Sequence, residues 1–196
     1  MSGKKRWEQR SQKTVTIGIG GVSRGTGTTF CTMMLAYFAV QVKKEAVAVR
    51  ERNCSGHLME LCQEEKRMTL KGIDIFGREK CIEAWEAGYQ KVILDCGMLM
   101  RTNQQVFSEF CSSRKKLVTA SLCTWKKREL EEFVEYCQDI PGNEEWIYLV
   151  PFAEKNAVKR MERKLHRKMY AVQAEKEWYR MGALNLSLWE EILEGL

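Results

Sequence analysis

The chain has 196 residues with two prolines, no low-complexity tract and a net charge of +6. That describes one domain with room for a substantial core, not a disordered protein or a linker-joined pair. Eight cysteines are scattered through apolar segments with no C-x-x-C pair and no secretory signal before them, so a reduced, cytoplasmic protein is the simpler reading. His57 and His166 stand alone without metal-ligand spacing, and no apolar run approaches membrane-spanning length.

Residues 1–13 carry Lys4, Lys5, Arg6, Arg10 and Lys13 and read as a basic, flexible tail, leaving 14–196 as the folded domain. Val15–Ile19 reads as a buried strand that empties into Gly20, Gly21, Gly25 and Gly27, and Thr28-Thr29 then opens an amphipathic helix over Phe30–Val42. Ala46–Val49 is a second buried strand, and Ser55 is placed to cap a helix running to about Lys66. Leu70–Phe76 reads as a weaker strand, Arg78–Ala87 as a short helix and Lys91–Asp95 as the clearest later strand, ended by Cys96-Gly97. A helix at Gln104–Cys111, a strand at Lys116–Ala120 and a helix at Thr124–Cys137 follow, then a turn at Pro141-Gly142-Asn143. Trp146–Val150 and Met169–Val172 read as strands on either side of a helix at Glu154–Lys168, and Leu188–Leu193 closes the chain as a helix.

Strands alternating with helices imply parallel pairing through right-handed crossovers. The expected fold is a single α/β domain: a mainly parallel, twisted sheet with helices on both faces. Ligands of such sheets sit beyond the carboxyl ends of the strands. The loops at Gly20–Thr29, Glu51–Gly56 and Asp95–Arg101 should therefore meet at one edge, with Val15–Ile19, Ala46–Val49 and Lys91–Asp95 as neighbouring inner strands.

Strand, glycine loop and helix together form a phosphate-cradling arrangement, because glycines let backbone N–H groups converge where the helix N-terminus adds partial positive charge. Against G-x-x-x-x-G-K-[ST], Gly27 is the second glycine, Val22 stands where the first belongs and Thr28 where the lysine belongs, while Thr29 keeps the magnesium-ligand position. Asp95 stands where a magnesium-supporting carboxylate would, although an aspartate capping the next segment reads equally well. The basic segment Lys155, Lys159, Arg160, Arg163, Lys164, Arg167 and Lys168 could attract nucleic acid, but Tyr170, Trp178 and Tyr179 follow it without interleaving. A solvated helix face, opposite the apolar stripe Ala157, Val158, Met161 and Leu165, is the favoured reading.

In their order and spacing these loops resemble the ParA/MinD superfamily of P-loop ATPases, in particular its CpaE/TadZ-like branch, associated with Flp pilus assembly. The resemblance covers about Thr14 to Phe152. Ser23-Arg24-Gly25-Thr26-Gly27-Thr28-Thr29 sits where the family has K-G-G-V-G-K-T, Glu51-Arg52-Asn53-Cys54-Ser55-Gly56 resembles its D-x-D-P-Q-G, and Val92–Gly97 resembles its later h-h-h-D-x-G strand. It implies a bacterial protein that binds ATP or ADP with magnesium through Ser23–Thr29, with Thr29 and Asp95 toward the metal and Glu51, Asn53 and Asp95 as candidates for catalysis.

The departures from the family pattern carry as much information. The family's cross-subunit lysine aligns with Ser23, its P-loop lysine with Thr28, its water-orienting aspartate with Asn53 and its adenine-reading asparagine with Pro151. Losing two cations and an acid implies a nucleotide-binding regulator with little or no hydrolysis, working through protein partners and forming any homodimer without ATP. An active ATPase using Arg24 in place of the missing lysine is the alternative.

Overall fold

The computed structural model describes residues 14–53, 56–61, 67–77, 88–101 and 104–194. The basic tail and the helix expected over 78–87 lie outside these residues, as do Cys54 and Ser55. Among the described residues eight strands form one sheet: β1 (Val15–Gly21), β2 (Val47–Glu51), β3 (Arg67–Leu70), β4 (Ile73–Phe76), β5 (Lys91–Met98), β6 (Lys115–Thr119), β7 (Ile147–Pro151) and β8 (Met169–Val172). Their spatial order is β3-β4-β2-β5-β1-β6-β7-β8, and every pair is parallel except β3 with β4. The three expected inner strands are neighbours, with Ile19 and Glu51 both in register with Asp95.

Among the described residues the α-helices are α1 (Thr28–Gln41), α2 (His57–Leu61), α3 (Gln104–Ser112), α4 (Lys127–Tyr136), α5 (Lys155–Leu165) and α6 (Ala183–Leu193). Two core layers sandwich the sheet. On one face Ile17, Ile19, Val49 and Ile93 pack with Cys31, Met34, Leu35 and Phe38 of α1 and with Leu188, Trp189 and Ile192 of α6. On the other, Val92, Leu94, Val118, Tyr148 and Val150 pack with Val106 and Phe110 of α3, Leu130 and Phe133 of α4 and Val158 and Met161 of α5. Alternate residues of one strand thus enter opposite layers, which is why inner strands read as unbroken apolar runs. Alpha1 is buried almost all round (eight of its residues are inaccessible), so it is the helix about which that face is built.

The closing helix begins at Ala183, ahead of the expected Leu188, and three other boundaries differ from the sequence expectation for identifiable reasons. The segment read as one strand, Leu70–Phe76, is the second half of a hairpin: Lys71 and Gly72 both take positive φ (53° and 85°) and turn the chain so that Leu70 faces Ile73. Beta5 does not end at Cys96-Gly97. It continues to Met98 past a register irregularity against β1, and Gly97 has φ 61°. Beta1 likewise keeps Gly20 and Gly21 in the sheet through pairing with Val118 and Thr119 of β6, so the loop proper starts later than expected. The basic charges of α5 lie as expected: Lys155, Lys159, Arg160, Arg163 and Lys164 are exposed, and Val158 and Met161 are buried. No helix among the described residues is long and apolar enough to cross a membrane.

Candidate functional site

The loop between β1 and α1 lies over the carboxyl ends of β1, β6 and β7. Val22 N–H donates to the Thr119 carbonyl (2.9 Å), and Gly27, with φ 83°, precedes the first turn of α1, where its carbonyl accepts from Cys31 N–H (2.9 Å). A Cβ on Gly27 would sit 3.1 Å from the Pro151 ring, so the left-handed backbone and the close approach both call for glycine there. Gly25 also has positive φ (70°) and is exposed, while Ser23 is half-buried and Arg24 is exposed.

Threonine hydroxyls fill the inside of this turn. Thr28 Oγ1 and Thr26 Oγ1 lie 2.8 Å and 3.0 Å from Thr119 Oγ1, and Thr26 also donates to the Ser23 carbonyl (2.9 Å). A Cβ on Gly21 would fall within 2.6 Å of both loop hydroxyls, so the cluster rests directly on the strand. The residue in the lysine position is thereby tied to β6. Thr119 was not singled out from the sequence, because a threonine at a strand end 91 positions away carries no local signal.

Thr29 and Asp95 do come together. The Thr29 hydroxyl donates to Asp95 Oδ2 at 2.6 Å, and Gly97 N–H donates to Oδ1 at 3.1 Å. Asp95 is fully buried. Burial pushes its carboxyl above the ordinary carboxylate range and the nearby Glu51 adds to this, whereas donors from Thr29, Gly97 and the Asn53 side chain pull it down. Asn53 thus spends its amide on Asp95 and packs where a Cβ on Gly97 would be 2.4 Å away. Arg52 N–H and Asn53 N–H both donate to the Asp95 carbonyl (2.8 and 3.2 Å), which draws the second loop onto the third.

Glu51 is buried in β2, and its Oε1 accepts from Leu58 N–H (3.3 Å) at the first turn of α2. Arg52 makes a two-pronged ion pair with Glu109 of α3 (2.5 and 2.6 Å). Both side chains hold elements together on the sheet's carboxyl edge.

Three features of the site escape the sequence. A cavity of about 370 Å³ opens beside the loop, lined by Gly25 and Thr26, by Ser121, Leu122 and Cys123 after β6, by Pro151 at the end of β7 and by Phe152 just beyond it. Phe152 has φ 61°, a left-handed backbone that is strained for an aromatic residue, and its ring is largely exposed near Phe30. Lys126, just before α4, donates from Nζ to the Arg24 carbonyl at the tip of the loop. A lysine at the foot of the helix after a central strand was the only available signal, and many lysines answer to it.

The donor set fits a magnesium nucleotide: hard oxygens from Thr29 and Asp95 for the ion, and a glycine-bearing loop at the N-terminus of α1 for phosphate. Among the described residues no group of three or more His, Cys, Asp or Glu side chains is placed to hold a metal.

The fold is the one seen in solved ParA- and MinD-type structures. Over 93% of this chain and 97% of the other, the structure is similar to a plasmid partition protein from Borrelia burgdorferi bound to AMPPNP (TM-score 0.62, 12% identity). It is similar to the MinC:MinD cell division complex of Aquifex aeolicus over 83% and 82% (TM-score 0.63, 12% identity), and to a ParA family ATPase from Chlorobium tepidum over 83% and 85% (TM-score 0.61, 9% identity). No protein-family model and no curated protein sequence matches the chain.

Proposed function

We propose that this chain is a ParA/MinD-like, cytoplasmic nucleotide-binding regulator that hydrolyses ATP weakly or not at all. In this reading it positions a pilus or secretion machine by docking protein partners. The observation that carries it is the contrast between two adjacent threonines. Thr29 donates to Asp95, which sets side by side two hard oxygens that would serve a magnesium ion, whereas Thr28 is tied to Thr119 and offers no charge to phosphate.

Residues Gly25–Thr29 would hold the phosphates through backbone N–H groups, and Thr29 with Asp95 would hold the magnesium, which neutralises phosphate charge when bound. Asn53 has no carboxylate with which to take a proton, and its amide already serves Asp95. Removing one transition-state donor costs about 3–4 kcal/mol, so a site without either family lysine or the acid is expected to bind without turning over. On the base side, Pro151 and Phe152 offer a ring surface and no side-chain amide, which suits stacking more than reading of one base.

The cell-division MinD was solved with MinC, and a protein partner is the expected output here as well. With Ser23 at the cross-subunit position, any homodimer should form without ATP. Titration with a fluorescent ATP analogue, with and without magnesium, tests the binding half of the proposal. Saturable binding strengthened by magnesium is expected, and no binding at millimolar analogue would overturn it.

A further inference from the structure

We propose that Lys126 is the cation of the phosphate site, standing in from the start of α4 for the lysine that Thr28 replaces. This rests on the nucleotide reading above and assigns the charge that reading lacks.

The turn before α4 fixes where Lys126 begins. Its N–H and that of Lys127 both donate to the Cys123 carbonyl (2.9 and 3.2 Å), and its own carbonyl accepts from Leu130 N–H (3.2 Å). From there the half-buried side chain reaches the glycine loop. Nζ donates to the Arg24 carbonyl and would lie 3.5 Å from a Cβ on Gly25. Gly25 lines the cavity together with Ser121, Leu122 and Cys123 of the same turn, so the ammonium stands beside a residue that the loop and the cavity share.

The present acceptor is a neutral carbonyl, whereas a phosphate oxygen is charged and adds ion–ion attraction to the hydrogen bond. An ammonium has three donors on a flexible stem, so it can turn to an anion seated on the loop while keeping a contact to Arg24. Thr28 cannot do this, because it is uncharged and bonded to Thr119.

The test compares AMP, ADP and ATP, each with magnesium, by calorimetric titration of the wild-type chain, Lys126→Met, Lys126→Arg and the double variant Lys126→Met/Thr28→Lys. Lys126→Met should weaken ATP about ten- to a hundredfold, as expected for loss of a hydrogen bond to a charged group. The loss should shrink with phosphate number and nearly vanish for AMP. Lys126→Arg should restore most of the ATP affinity, and Thr28→Lys should recover it in the double variant.

Equal ATP affinity in Lys126→Met would overturn the assignment and leave nucleotide binding standing. Equal losses on AMP and ATP would also overturn it, since Lys126 would then only hold the loop in shape. Absence of ATP binding by the wild type would remove both readings. Should Lys126→Met fail to fold, acylation of the wild-type Lys126 amine decides: protection by ATP supports the proposal, and an unchanged rate overturns it.

Discussion

The Thr29 hydroxyl donates to Asp95 Oδ2 across 2.6 Å, joining the first turn of α1 to the middle of β5. Asp95 is fully buried, and its further donors are Gly97 N–H and the Asn53 side chain. These donors satisfy a buried carboxylate that would otherwise be costly to leave unpaired.

This arrangement makes a prediction about Asn53. Converting it to aspartate moves the site toward the family pattern, but here it removes a donor to Asp95 and adds a like charge to a buried cluster with Glu51. Asn53→Asp should destabilise the fold by about 1–3 kcal/mol without magnesium. Urea unfolding with and without the ion measures this, and magnesium should recover part of the loss. An unchanged midpoint would show that Asn53 does not support Asp95.

Cysteine reactivity offers a second view of the cavity. Cys31 and Cys96 are buried; burial pushes the Cys31 thiol up to about 12 and the Cys96 thiol up as well, so neither should alkylate in the native state. Cys123 is half-buried and lines the cavity beside Gly25 and Thr26. Iodoacetamide at mildly alkaline pH, followed by mass spectrometry, should label Cys123 and spare Cys31 and Cys96. Magnesium ATP should slow the labelling of Cys123 several-fold. An unchanged Cys123 rate at saturating nucleotide would place the ligand elsewhere.

The basic helix makes a third. Arg160, Arg163 and Lys164 are exposed, and the pair Lys164–Glu131 (2.6 Å) is solvent-facing, the kind of bridge worth about 0–1 kcal/mol. Replacing all three with Gln should change stability by about 0.5 kcal/mol or less. A large loss of salt-sensitive binding to nonspecific DNA in that variant would instead make α5 a nucleic-acid surface.

The sheet was legible because its inner strands are apolar on both faces and end in glycine or acid. Val15–Ile19, Ala46–Val49 and Lys91–Asp95 could hardly be anything but neighbours. The β3–β4 hairpin was not, since Lys71-Gly72 lacks the Asn-Gly or Asp-Gly signature, and its positive φ values appear only in the folded backbone. Thr29 and Asp95 could be paired from motif order alone. Thr119 and Lys126 could not: the first meets Thr28 from 91 residues away and the second meets Arg24 from 102 residues away, contacts that follow from strand order and not from any local pattern.

Phosphate release at millimolar ATP with magnesium tests the proposal that this loop binds nucleotide without turning it over. Wild-type protein should release phosphate at the background rate while an equilibrium titration of the same sample shows bound nucleotide. Thr28→Lys should raise affinity without producing turnover. Robust release by the wild type, abolished by Arg24→Ala, would contradict the account and establish an ATPase that uses Arg24 in place of the missing lysine.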